Sequence, residues 1–181
     1  IIVKRNSRIK IDLNGIAQGY TVDMLARYFE GVGINNFLIE VGGEVYGRGK
    51  KANGEYWHVG IEKPSKGGER IVEKIIRLDG KALSTSGIYR KFRKKDGKQY
   101  SHEIDPKEGK PVENNIISVS VVANDCSTAD GLSTAFMVMG IDRIKEFIKN
   151  HNNIDAYVMM LGTRGDTVRW YSEGLKNLIV E

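Results

Sequence analysis

Apolar and polar residues alternate in short stretches along most of the chain, and in a few places the period lengthens to that of a helix. Residues 8–13, RIKIDL, set Ile9, Ile11 and Leu13 between polar neighbours and predict a half-buried strand. From Asn14 to about Gly31 the spacing becomes helical. Ile16, Tyr20, Leu25, Ala26 and Phe29 fall roughly on one face, and GVG at 31–33 stops the helix. NFLIEV then reads as a short buried strand ending in Gly42-Gly43, and EVYGRG and YWHVGIEKP as further strands. RIVEKIIRL fits strand or helix by period. Its β-branched residues and the DG that follows favour a strand. KALSTSG is a strand running into a polar turn. Asp96-Gly97 marks a tight hairpin between two alternating arms, and DPKEGKPV is a loop. IISVSVV is a buried strand that feeds the apolar helix CSTADGLSTAFMVMG, residues 126–140. DRIKEFIKN is an amphipathic helix with Asp142 placed as N-cap. DAYVMML and TVRWY are strands about the turn TRGD, followed by a short tail.

This order of blocks predicts an α+β fold of mainly antiparallel sheet with packed helices, in a single domain over residues 1–181. The first and last blocks share a plan of strand, polar turn, helix and strand, the pattern of an internal duplication. A chain of 181 residues is long enough to bury a real core, and no apolar run approaches the roughly 18 residues of a membrane span. The formal charge of +5 suits an anionic partner such as a nucleotide without pointing to nucleic acid. One cysteine excludes an internal disulfide framework and a cysteine metal cluster. The N-terminus lacks an initiator Met and a signal-peptide pattern, so the chain reads as trimmed.

The chemistry concentrates in a few segments. Ser127 and Asp130 have the S-x-x-D spacing of a capping box, which accounts for Asp130 but not for Thr134 four residues on. Side chains at i and i+4 lie one above the other, so a carboxylate and a hydroxyl so placed suit a hard cation that keeps its other positions for water and phosphate. Gly15 and Gly19 around a helix start, and Gly42-Gly43 after a strand, are candidate phosphate turns or plain turns; neither string is a P-loop. Ser84, Thr85, Ser86 and Gly87 form a polar cluster after a strand. His102 stands beside Asp105 at the exit of the hairpin, where its pKa can be tuned for proton transfer. The basic run RKFRKKDGK decorates a hairpin edge, a common solvated arrangement, and lacks the interleaved aromatics of a nucleic-acid module.

From about Lys10 to the C-terminus the chain resembles the ApbE family of flavin transferases. DLNGIAQGYTVDML, FLIEVGGEVYGRG, WHVGIEKP, LSTSGIYRKF, DGKQYSHEIDPKEGKPV, ISVSVVA and STADGLSTAFMVMG occur in that family's order. The resemblance implies an ApbE-like, T-fold-like architecture and the C-terminal part of a longer flavin transferase. It implies Mg²⁺-dependent splitting of FAD, transfer of FMN to a Thr hydroxyl of an acceptor protein, and release of AMP. The implied acceptors are subunits of Rnf-type or sodium-translocating NADH:quinone reductase complexes. The implied location is the outer face of the bacterial cytoplasmic membrane or the periplasm, since many members are exported lipoproteins. Matched position by position, Asp130, Thr134 and the backbone carbonyl of Ala17 are metal ligands, and His102 is the residue required for transfer. Gly42, Gly43, Glu44, Ser86, Gly87 and Asp105 lie along the nucleotide. Gln18 does so too, at a position where many members carry a charged residue. Hydrolysis of FAD to FMN and AMP, and flavin binding without catalysis, are the alternatives.

Overall fold

The computed structural model describes residues 3–63, 69, 71–88, 92–95, 98–101, 104–112 and 114–180, with 92–95 and 98–101 as backbone alone. Helix α1 (Ala17–Gly31) leads into the hairpin β1 (Phe37–Val41) and β2 (Glu44–Arg48). Strands β3 (Trp57–Lys63), β4 (Ile71–Leu78) and β5 (Lys81–Gly87) follow. Two small hairpins come next, β6 (Phe92–Lys95) with β7 (Lys98–Ser101), and β8 (Ile104–Asp105) with β9 (Lys110–Pro111). Strand β10 (Ile116–Ala123) runs into α2 (Cys126–Met139) and α3 (Ile141–Lys149). The chain ends with β11 (Asp155–Leu161), β12 (Thr167–Tyr171), a 3₁₀ turn (Gly174–Asn177) and β13 (Ile179–Val180).

Six strands form one antiparallel sheet in the order β1-β2-β5-β10-β11-β12, and β13-β4-β3 form a second sheet. Successive side chains of a strand point to opposite faces, and the burial follows that period. On β10, Val119 and Val121 face the helices while Val122 faces the small sheet. On β11, Ala156 and Val158 divide from Tyr157 and Met159 in the same way. One core thus lies under α1 and α2, with Val22, Ala26, Phe136 and Met137 packed on the large sheet. The other lies between the sheets around Ile61, Ile76, Leu78 and Leu175. This is the α+β, mainly antiparallel architecture that the pattern predicts.

Five local expectations are corrected. Residues 9–13 form no strand, and Ile9, Ile11 and Leu13 are more than half exposed. Alternation says which side chains would share a face, but a strand also needs an edge to pair with, and these residues pair with neither edge of the large sheet. Helix followed by an antiparallel pair does recur, but the leading strand occurs only in the second block. The buried face of α1 consists of Gly19, Val22, Asp23 and Ala26, leaving Ile16, Tyr20 and Leu25 exposed. Asp142 lies in the first turn of α3, whose N-cap is Gly140 and has no side-chain cap. DPKEGKPV is partly ordered as the β8–β9 hairpin. The arms of the hairpin expected at Asp96-Gly97 do pair, with Lys95 opposite Lys98, and the turn residues lie outside the described set. Among the described residues no helix is long and apolar enough to cross a membrane.

Candidate active site

The site grows from sheet register. The pairing of Val45 with Leu83 and of Tyr46 with Ala82 places Glu44 level with Ser84. Since Tyr46 and Ala82 face the helices, Glu44, Ser84 and Ser86 do so as well. Helix α2 lies over them and presents Asp130, Ser133 and Thr134, spaced i, i+3 and i+4. The segment LSTSG is therefore the end of β5, not a turn after it.

A chain of hydroxyls joins strand to helix. Ser133 Oγ lies 3.2 Å from Ser84 Oγ and 2.9 Å from Ser86 Oγ, and donates to the Asp130 carbonyl at 3.0 Å. Ser86 Oγ also lies 3.2 Å from Thr134 Oγ1. Ser84 Oγ donates to Glu44 Oε1 at 3.5 Å, and the other oxygen, Glu44 Oε2, is buried with no hydrogen-bond partner. Glu44 is 7 % exposed and Asp130 is 5 % exposed. Burial above all, then the charge of Asp130, holds the Glu44 carboxyl above the ordinary value; burial raises Asp130 too, against the Gly19 N–H, which favours its charged form. Among the described residues, no lysine or arginine forms an ion pair with either.

The N-terminal end of α1 closes one side. Gly19 sits so close to α2 that a Cβ there would lie 2.8 Å from Asp130 Cβ, and its N–H donates to Asp130 Oδ2 at 2.9 Å. Gly19 is thus a helix-contact residue and not a phosphate turn. Gly15, in the turn before the helix, has Thr134 Oγ1 within 3.8 Å of where its Cβ would stand. The Ala17 carbonyl accepts from Thr21 Oγ1 at 2.8 Å. The Gly42-Gly43 turn has φ of +70° and +113°, which glycine alone adopts without strain. The Gln18 amide packs on it, its Cδ 3.0 Å from a Cβ at Gly42, and Glu44 Oε2 is 3.4 Å from the same point.

Gln18, Gly42, Glu44, Ser86, Asp130 and Thr134 are therefore brought together, with Ala17 at the adjoining helix end. Gly87 closes β5 opposite Ser118. Asp105 lies in the β8–β9 hairpin and accepts from the Lys107 N–H at 2.7 Å, with no hydrogen bond to the cluster. His102 lies outside the described residues. The capping box is corrected: α2 is capped by Asp125, which accepts from the Thr128 N–H at 2.8 Å, while Ser127 bonds to Asp23 and Asp130 to Gly19. Sequence reasoning missed Ser133 and Asp23. Ser133 stands one turn from Asp130 on the same face. Asp23 stands four residues after Gly19, inside a stripe that the Tyr and Leu residues of α1 obscure.

The donors near Glu44 and Asp130 are carboxylate, hydroxyl and backbone oxygens, and among the described residues no three His, Cys, Asp or Glu side chains converge. Two buried carboxylates, one with an orphaned oxygen, fit a hard divalent cation that takes few protein ligands.

Residues 2–158 match the model of the ApbE family. The FAD:protein FMN transferase of Haemophilus influenzae is 39 % identical over 158 residues, which cover 87 % of this chain and 45 % of that protein. The FAD:protein FMN transferase of Escherichia coli K12 is 37 % identical over 171 residues, covering 94 % and 48 %. The flavinyl transferase ApbE of Pseudomonas stutzeri, solved in its apo form, superposes with a TM-score of 0.80 at 35 % identity, over 93 % of this chain and 51 % of that one. The chain spans about half the length of the curated relatives it matches.

Proposed function

The chain belongs to the ApbE family, and from that membership we propose that it carries the phosphoryl-transfer site of a Mg²⁺-dependent FAD:protein FMN transferase. The reaction moves FMN from FAD to a Thr hydroxyl of an acceptor protein and releases AMP. The observation that carries this reading is the buried cluster of Glu44, Asp130, Thr134 and Ser86, in which one oxygen of Glu44 is buried with no hydrogen-bond partner. A Mg²⁺ held by Asp130, Thr134 and the Ala17 carbonyl, with Glu44 beside it, would neutralise and orient the pyrophosphate.

This chain's own groups do the rest. Gly43, with nothing within 4 Å of where a Cβ would stand, offers the nucleotide open backbone, and the Gln18 side-chain amide packed on Gly42 stands beside it as a polar group. Ser86 and Ser133 hold Thr134 in its rotamer through the hydroxyl chain. The acceptor hydroxyl attacks the FMN phosphorus; the new P–O bond forms as the bond to the AMP phosphate breaks, and the hydroxyl proton passes to His102. The acceptor class in this reading is a subunit of an Rnf-type or sodium-translocating NADH:quinone reductase complex. The site of action is the outer face of the bacterial cytoplasmic membrane.

The test incubates the protein with FAD and a Thr-containing acceptor, with and without Mg²⁺, and quantifies AMP, FMN and flavinylated acceptor by chromatography. Mg²⁺-dependent AMP release, lost in Asp130→Ala, is expected. His102→Ala should abolish transfer and spare FAD binding. FAD bound stably with no AMP released would overturn the proposal in favour of a flavin carrier, and FMN formed without acceptor labelling in favour of a pyrophosphatase.

A further inference from the structure

Helices α1 and α2 hold each other by their amino ends. Asp23, in the second turn of α1, accepts from the Cys126 N–H at 2.7 Å through Oδ1 and from the Ser127 N–H at 2.9 Å through Oδ2. The Ser127 hydroxyl donates to the same Oδ2. In the opposite direction, Asp130 of α2 accepts from the Gly19 N–H of α1. The first N–H groups of a helix have no partner within it, and those of α2 are divided between two acids. Asp125 takes the Thr128 N–H locally, while Asp23 takes the first two from another element. Asp23 is 5 % exposed, and every hydrogen bond recorded for its carboxylate goes to α2.

The geometry has a consequence for Asp130. One of its oxygens is committed to Gly19, and the other makes no hydrogen bond among the described residues. Where that second oxygen and the Thr134 hydroxyl stand relative to Glu44 depends on the slide and rotation of α2 against α1. Local capping by Asp125 stabilises α2 as a helix but does not fix that pose. Asp23 reaches α2 from α1, through charge-assisted bonds that span 103 and 104 residues of sequence. We propose that Asp23 is a positioning residue: it touches neither cation nor substrate, and sets the place of the Asp130 and Thr134 oxygens by gripping the amino end of α2. This rests on the reading of Asp130 and Thr134 as cation ligands. Partners that orient metal ligands from outside typically change metal affinity by about 10- to 100-fold when removed.

The experiment titrates the purified protein with Mn²⁺, an octahedral oxygen-seeking probe, and follows free Mn²⁺ by electron paramagnetic resonance, with melting temperature measured in parallel. Asp130→Ala reports on the cation site itself, Asp23→Asn on the grip, and Asp125→Ala on helix capping without the grip. The expected result is loss of binding in Asp130→Ala, an affinity weakened about 10- to 100-fold in Asp23→Asn, and wild-type affinity in Asp125→Ala despite a lowered melting temperature. Wild-type Mn²⁺ affinity in Asp23→Asn would overturn the proposal, and so would equal weakening in Asp23→Asn and Asp125→Ala, since helix stability alone would then explain it. Unchanged binding in Asp130→Ala sinks the cation reading, a failure distinct from that of Asp23. If Asp23→Asn does not fold, Ser127→Ala removes only the hydroxyl arm of the grip. It should weaken Mn²⁺ binding in the same direction by a smaller factor, and unchanged affinity there overturns the proposal.

Discussion

Replacing Gly19 by alanine tests whether the contact between α1 and α2 is as close as the site requires. In an exposed helix interior this substitution stabilises by about 1 kcal/mol, because alanine loses less backbone entropy. Here the new Cβ would press on the Cys126 carbonyl oxygen and lie 2.7 Å from the Cys126 carbonyl carbon and 2.8 Å from Asp130 Cβ, at least about 0.7 Å short of the 3.4 Å at which ordinary contact begins. Neither neighbour is the free end of a flexible side chain. The helices must therefore part by about 0.7 Å, at an overpacking cost of about 1–3 kcal/mol. That separation stretches the 2.9 Å bond from the Gly19 N–H to Asp130 to roughly 3.6 Å, beyond hydrogen-bond reach. Losing a bond to a charged acceptor costs about 1.5–3 kcal/mol more. Net of the helix gain, the expected loss is about 3 kcal/mol, a fall in melting temperature of about 6–12 °C for a chain of this size. Gly31→Ala is the control. It lies at the other end of the same helix with nothing within 4 Å of a Cβ, and should be neutral or slightly stabilising. Urea unfolding and calorimetry of the two variants decide the matter. A Gly19→Ala protein as stable as the wild type would refute the close helix contact and the placement of Asp130 built on it.

Glu44→Gln should flatten the dependence of stability on pH in metal-free buffer. The Glu44 carboxyl holds its proton more tightly in the folded state, by burial and by the charge of Asp130. Below its unfolded value of 4.5 both states are protonated and nothing is lost. As pH rises past it the unfolded chain ionises first, and stability falls until the folded carboxyl ionises too. Urea midpoints from about pH 4 to 8 should therefore drop more in the wild type than in the variant, and parallel curves would count against a strained Glu44. Added Mg²⁺ should raise the melting temperature of the wild type and leave that of Asp130→Ala unmoved; equal shifts in both would place the cation elsewhere. Gly42→Ala should cost more than Gly80→Ala. Both have left-handed backbones, φ +70° and +62°, which alone cost about 1–2 kcal/mol, but only Gly42 also meets the Gln18 amide. Equal losses on thermal unfolding would remove Gln18 from the turn.

The large strands were legible because a period of two in the residues becomes a period of two in burial: Val119 and Val121 against Val122, Ala156 and Val158 against Tyr157 and Met159. The pairing of Asp130 with Thr134 was legible for the same kind of reason, since i and i+4 share a helix face whatever surrounds them. Their companions Glu44 and Ser86 were named only through the family resemblance. Glu44 meets Ser84 only because β2 and β5 pair in one register, across 40 residues, and no local pattern encodes that. The buried face of α1 was misread because its defining residues, Gly19 and Asp23, count as breaker and charge. They are buried because another helix comes close and supplies N–H groups. The cap of α2 was misread because four acids or hydroxyls, Asp125, Ser127, Thr128 and Asp130, stand within one and a half turns. Only the path of the chain out of β10 selects Asp125.

The polarity of the site is not imposed by the sheet. On the same two strands, the face toward the small sheet carries Val45 and Leu83, both inside an apolar core. On the helix face at the same level stand Glu44, Ser84 and Ser86, under Ser133 and Thr134 of α2. Burying hydroxyls is nearly neutral when they satisfy one another, as these serines do, but burying a carboxylate oxygen with no partner is not. Apolar side chains at these positions would have packed as they do on the reverse face. A fold that keeps Glu44 Oε2 orphaned beside Asp130 therefore forgoes stability at one place, and the two acids are held there by contacts that do not depend on each other: the β2–β5 register for Glu44, and the crossed helix ends for Asp130. Local conflict between stability and chemistry, maintained by independent supports, is what separates a working site from a packing defect.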